Sequence, residues 1–104
     1  MMNERDLDVL NILWRKQEPM IVTEIVNEGQ GLTQSTVTAV LRKLLHAEMV
    51  EVSGITHSGK VLSRQYSPTE ASKEAIINHM LDELSRFSNI VTLDDLRERQ
   101  KKQK

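Results

Sequence analysis

The stretch Thr33-Gln-Ser-Thr-Val-Thr-Ala-Val-Leu-Arg-Lys-Leu-Leu-His-Ala47 is followed, two residues on, by Val50-Glu-Val-Ser-Gly-Ile-Thr56, His57-Ser-Gly-Lys60 and Val61-Leu-Ser-Arg-Gln-Tyr66. In the first segment Val37, Val40, Leu41 and Leu44 fall at i, i+3, i+4 and i+7, the stripe of a helix with one buried face. Thr33 stands where a hydroxyl caps such a helix. The two later runs flank a Ser-Gly turn and predict a β-hairpin with a polar, basic tip. A helix with short hydroxyl side chains on its exposed first turns, running into a hairpin, predicts a winged helix-turn-helix. In that arrangement the helix enters a major groove and the wing lies on the flanking backbone.

The flanking segments agree with this reading. Leu7, Leu10, Leu13 and Trp14, widened by Val9 and Ile12, predict a first helix. Asn3 is its expected cap, Asp6 an acid in its first turn, and Pro19 its stop. Met20 to Val22 reads as a short extended run. Thr23 is the expected cap of a second helix over Glu24–Glu28, closed by Gly29-Gln-Gly31. Pro68 ends the second strand. Beyond it, Thr69 and Thr92 are the expected caps of two further helices, broken at Ser88-Asn89. The expected fold class is mainly α with a small β-hairpin wing. Residues 1–68 form the winged-helix DNA-binding domain and residues 69–104 a helical dimerisation arm.

Composition narrows the function. A chain of 104 residues with 38% hydrophobic and 3% aromatic content builds a small aliphatic core, which a partner chain would enlarge. The net charge of −1 argues against non-specific polyanion binding by the molecule as a whole. The charge is unevenly spread. Residues 1–32 carry three Lys or Arg against six Asp or Glu, residues 33–66 carry four against two, and residues 67–104 seven against seven. The positive excess thus falls on the helix and hairpin, where a nucleic-acid face needs it, although an excess of two is also compatible with chance.

There is no cysteine, which excludes disulfides, thiolate metal sites and Cys nucleophiles. The start of the chain has neither an apolar run nor a cleavage pattern, and no segment has the apolar length of a membrane span. A cytoplasmic protein is expected. His46, His57 and His79 lie in different elements without paired-ligand spacing, and the methionines form no cluster, so no metal or other cofactor is expected. No phosphate loop or nucleophile elbow is present, and no enzyme activity is expected.

The candidate DNA-binding residues are Thr33, Gln34, Ser35, Thr36, Thr38, Ala39, Arg42, Lys43, His57, Lys60 and Arg64. Hydroxyls and Gln34 can bond base edges or phosphates, and Thr and Ala methyls can touch a thymine methyl. Arg42 and Lys43 suit phosphate contact, which positions without specifying. Lys60 and Arg64 reach flanking phosphates, and His57 adds charge when protonated. Against this stands a merely solvated helix face and solvated surface cations. The hairpin directly after the helix weighs for DNA. Trp14 reads as core rather than as a stacking platform.

The whole pattern resembles the penicillinase-repressor and copper-transport-repressor family (the BlaI/MecI/CopY type). The resemblance rests on Leu7-Asp-Val-Leu-Asn-Ile-Leu-Trp14, on Ile21-Val-Thr-Glu-Ile-Val26 and on Leu32 to Leu44 with its Thr-Val and Leu-Arg-x-Leu elements. Ser58-Gly-Lys60 and Tyr66-Ser-Pro68 are similar to the family's wing turn and wing closure. Together these span residues 5–68. The resemblance implies that Ser35, Thr36, Thr38 and Ala39 face bases, that Arg42 contacts the backbone and that Lys60 is the basic wing residue. It also implies a homodimer on an inverted repeat, joined through the helices after the wing. An apolar stripe of Ile76, Met80, Leu84 and Phe87 with Leu93 and Leu96 would be the seam. The wing is slightly longer than the family's, the C-terminal part is short, and no match to the family's protease-sensitive induction site is found around Phe87–Val91. Copper sensing through thiolates is not available. An inducer or protease as releasing partner stays open, as does operator sequence. The expected function is sequence-specific transcriptional repression by a homodimer on double-stranded DNA. The alternative is a winged-helix protein-interaction module that does not bind DNA.

Overall fold

The structure is a computed structural model and describes residues 2–102. Met1, at the start of the expected DNA-binding domain, and Gln103 and Lys104, at the end of the expected helical arm, lie outside the described residues. Helix α1 (Glu4–Lys16) opens with a complete capping box. Asp6 N–H donates to Asn3 Oδ1 at 2.9 Å, and Asn3 N–H donates to Asp6 Oδ2 at 3.0 Å. The helix ends at Gln17, whose left-handed backbone (φ 55°) lets its N–H close on the Leu13 carbonyl, two residues before Pro19. Val9, Leu10, Ile12 and Leu13 form its buried face.

The next segment differs from the sequence expectation. Met20 bridges Tyr66 through two backbone hydrogen bonds of 2.8 and 3.0 Å and Ile21 is extended, but Val22 is already helical. Helix α2 (Val22–Glu28) begins before Thr23 because the Glu24 carboxylate reaches back and accepts the Ile21 N–H at 3.0 Å. That contact satisfies a free donor of the first turn, so the cap falls at Ile21 and Thr23 lies inside the helix. After α2 the chain turns closely. A Cβ on Gly29 would lie 2.3 Å from Leu32 Cδ1, so only glycine lets Leu32 pack into the core there.

Helix α3 (Gln34–His46) has the expected stripe: Val37, Val40, Leu41 and Leu44 are all buried. Thr33 caps it, accepting the Thr36 N–H at 3.2 Å. Its end passes through Glu48 at φ 61°, and Met49 N–H closes on the Leu44 carbonyl at 2.8 Å. Each fully buried leucine, isoleucine or valine of this core contributes about 1.5–3 kcal/mol relative to exposure.

Strands β1 (Val50–Ser58) and β2 (Val61–Pro68) pair antiparallel. Ser58 pairs with Val61, so the loop is Gly59-Lys60 alone, with positive φ at Gly59 only, as a type II′ turn requires. A bulge at Ser53 shifts the register between Val52↔Tyr66 and Gly54↔Gln65. Past Pro68, Thr69 ties the hairpin base to the α3 turn: its N–H donates to the Met49 carbonyl and its hydroxyl to the Glu48 carbonyl at 2.7 Å. The same residue precedes helix α4 (Glu70–Arg86), whose buried Ser72 Oγ accepts the Trp14 indole N–H at 3.0 Å. Trp14 is therefore a half-buried packing residue with its polar atom satisfied.

The chain forms two compact units, Met1–Lys73 and Glu74–Lys104, so the first turn of α4 counts with the winged unit. In the second unit α4 ends at Arg86, and helix α5 (Leu93–Lys102) starts with a reciprocal box between Thr92 and Asp95. Val91 N–H and Ile90 N–H both close on the Phe87 carbonyl, and Arg86 lies over the Phe87 ring, 5.0 Å from its centroid. No helix among the described residues is long and apolar enough to cross a membrane.

Candidate nucleic-acid interface

The same periodicity that buries Val37, Val40, Leu41 and Leu44 sets what α3 offers to solvent. Successive helical residues turn by about 100°, which puts Gln34, Thr38 and Arg42 in one row and Ser35 and Ala39 in the next. These five residues are exposed and line one shallow concavity along α3. His46 is exposed and continues the Ser35, Ala39 and Arg42 side of the helix by one more turn. The face is made of small side chains at its start and a guanidinium further along, so the backbone of α3 can approach a surface closely.

Three of the residues expected on this face stand elsewhere. The Thr33 and Thr36 hydroxyls bond each other at 2.9 Å, and Thr36 is half-buried, so both act in the cap of α3. Lys43 lies on the flank of α3 opposite Thr38. Its Nζ reaches Asp6 Oδ2 at 2.6 Å. Asp6 is fully buried, so Lys43 neutralises a charge inside the winged unit. Sequence spacing alone does not separate Arg42 from Lys43, because the partner that engages Lys43 is on another helix.

A second concavity gathers Ile21, Val22, Thr23, Gln34, Ser63, Arg64 and Tyr66. It brings Arg64 of the wing to the start of α3, beside Gln34, and adds the exposed Thr23 of α2. The sequence marks Thr23 only as a helix cap and does not mark Ser63, since nothing local signals that the Met20–Tyr66 bridge draws α2 and β2 together. His57 and Lys60 are exposed at the far end of the wing, away from both concavities. The outer wing also exposes Ile55, Val61 and Leu62, so its tip is not purely polar and basic as expected.

In the second unit Met80, Phe87, Leu93 and Leu96 are exposed, while Ile76 and Leu84 are half-buried. Ile77, Leu81 and Ile90 are exposed as well and widen the apolar surface beyond the six residues expected. A groove there is lined by His79, Met80, Glu83, Leu84, Phe87, Val91 and Leu96. At the start of α5, the Thr92 N–H and hydroxyl hold the Asp95 carboxyl below its usual range. Among the described residues no group of His, Asp and Glu is arranged to hold a metal ion.

A capped helix packed across two others, a hairpin wing and a solvent-facing row of small polar side chains define a winged helix-turn-helix of the transcription-regulator class. The penicillinase repressor family model matches residues 2–99. The chain belongs to that family, which is one of transcription regulators rather than enzymes. Two solved structures show the same fold. The complex structure of hsRosR-S1 is similar with a TM-score of 0.65 and 20% identity, over 97% of this chain and 87% of that one. AF1382 from Archaeoglobus fulgidus is similar with a TM-score of 0.57 and 17% identity, over 81% of this chain and 91% of that one. No curated protein matches the sequence.

Proposed function

We propose that the chain is a sequence-specific, DNA-binding transcriptional repressor that acts as a homodimer on an inverted repeat. The observation that carries this reading is the exposed face Gln34, Ser35, Thr38, Ala39 and Arg42 on α3, continued by Arg64 at Gln34. In a major groove, Gln34 and Ser35 at the helix start meet base edges, and the Thr38 and Ala39 methyls meet thymine methyls. Arg42, Arg64 and Lys60 meet phosphates on either side and set the register. Thr33, Thr36 and Lys43 hold the helix in place without touching DNA. The apolar groove and the exposed Met80, Leu81, Phe87, Leu93 and Leu96 of the second unit form the seam with a second copy, which spaces two recognition helices for two half-sites. Repression is steric: the bound dimer occupies DNA that the transcription machinery needs.

Fluorescence anisotropy of the full chain with labelled duplex tests this. Each protomer brings three phosphate-reaching cations, so six per dimer give a log–log salt slope of about −5. Binding that does not respond to salt supports a protein-interaction module instead.

A further inference from the structure

The outer wing, Val52 to Gln65, contains Lys60, Arg64 and His57 and no carboxylate. It also exposes Ile55, Val61 and Leu62, each about two-thirds accessible (65%, 66% and 64%). Neither folding nor phosphate contact needs those aliphatic groups there. The ladder of β1 and β2 holds the hairpin through backbone hydrogen bonds, and a cation alone suffices for a phosphate. Exposed aliphatic residues on a two-stranded edge carry an aggregation cost unless something covers them.

The register shows how they are arranged. Ile55 pairs with Arg64 and His57 with Leu62, so Ile55 and Leu62 lie diagonally on one face with Arg64 and His57. Val61, one residue from Leu62, points to the opposite face beside the loop residue Lys60. The tip therefore carries an aliphatic side chain on each face, next to a lysine, at the end of a two-residue loop. The bulge at Ser53 adds twist between this outer part and the base of the wing. A second copy of this tip would bring like charges together with no acid to pair them. The walls of a minor groove offer the opposite: apolar sugar faces between two rows of phosphates. Leu and Ile are also among the wedges that open base steps from that groove.

We propose that the wing tip enters the minor groove beside each half-site, where Val61 and Leu62 pack on the sugars and wedge a base step, bending the duplex. This rests on the DNA-binding reading above. It adds a specificity element outside the major groove, because flexible pyrimidine–purine steps open and kink most easily.

The test uses the full chain and the duplex it selects from a random pool, with 2-aminopurine at the flanking steps and a circularly permuted set to read bending. The expected result is a bend and a rise in 2-aminopurine fluorescence with the wild type. Leu62→Ser and Val61→Thr lose both and bind roughly tenfold more weakly, while their salt slope is unchanged. Leu62→Met keeps the bend, and melting curves of all three variants match the wild type because the sites are exposed. Lys60→Ala does the reverse, lowering the salt slope. If Leu62→Ser leaves bend, fluorescence and affinity unchanged, the wing touches only phosphates, its apolar tip serves a protein contact, and the proposal is overturned. If the wild type selects no duplex at all, the DNA-binding reading fails and this proposal with it.

Discussion

Lys43 Nζ on α3 lies 2.6 Å from Oδ2 of the fully buried Asp6 on α1. The carboxylate also accepts the Asn3 N–H, so one residue caps α1 and clamps α3 to it. Its neighbour Arg42, about 100° round the helix, lies on the exposed face of α3. Two adjacent cations thus have different surroundings, and under the proposed function substituting each should give a different signature. Lys43→Ala leaves Asp6 buried without its counter-ion and lowers unfolding free energy by about 1–3 kcal/mol. Arg42→Ala changes stability by less than about 0.5 kcal/mol. Under the proposed function it would remove two phosphate contacts per dimer, and the salt slope should become shallower by about 2. Urea melts and salt titrations of both variants read the contrast directly.

Thr38→Glu places a carboxylate in the middle of the exposed row. Repulsion from the phosphates and from acceptors on the groove floor should reduce binding at least roughly a hundredfold, with the melting temperature unchanged. The same substitution at Thr36 disturbs the Thr33–Thr36 cap instead, so it should register in the melt as well as in binding.

Gly29→Ala tests the close turn between α2 and α3. The added methyl would sit 2.3 Å from Leu32 Cδ1, with Ile12 Cδ1 at 3.3 Å behind it. Leu32 is buried and must leave its place, at a cost of about 1–3 kcal/mol. Thermal unfolding checks this. Gly59→Ala at the wing turn meets no atom within 4 Å, and its cost comes from the positive φ alone, about 1 kcal/mol.

Leu84→Asp tests the seam. Leu84 lines the apolar groove with Met80, Phe87 and Leu96. A carboxylate there would be desolvated against the second copy, so sedimentation should show a monomer and operator affinity should fall with it. Full operator binding by a monomeric variant contradicts the dimer mechanism.

Asp95 supplies a pH prediction. Hydrogen bonds from the Thr92 N–H and hydroxyl lower its pKa below the ordinary 3.8. A lowered folded-state pKa means that the unfolded chain binds the proton more tightly. The stabilising contribution is therefore present above about pH 4 and is lost as pH falls through the folded value. Carboxyl NMR titration should find the Asp95 midpoint below 3.8, and Thr92→Ala should move it up.

The elements that could be read in the sequence are those set by local rules. The α3 stripe, the Asn3, Thr33 and Thr92 caps and the presence of the hairpin all follow from periodicity and side-chain reach over three or four residues, although the turn is Gly59-Lys60 alone, with His57 and Ser58 in the strand. What escaped depends on residues far apart in the chain. Thr23 has the better intrinsic capping preference, yet Glu24 reaching back to Ile21 decides where α2 starts. Arg42 and Lys43 look alike until Asp6 folds against one of them. His57, Gly59 and Lys60 mark the tip of the wing as polar and basic. That Val61 and Leu62 stay uncovered depends on the register and on what packs above them, which no local pattern encodes.

Sequence-specific DNA binding by a homodimer is tested by selection of a randomised duplex pool with the wild-type protein at two salt concentrations, with sequencing of the bound fraction. A homodimeric repressor should enrich an inverted repeat with fixed half-site spacing, weaker at the higher salt and abolished by Thr38→Glu. A pool that stays random at the lower salt, with the protein folded and dimeric, would contradict it.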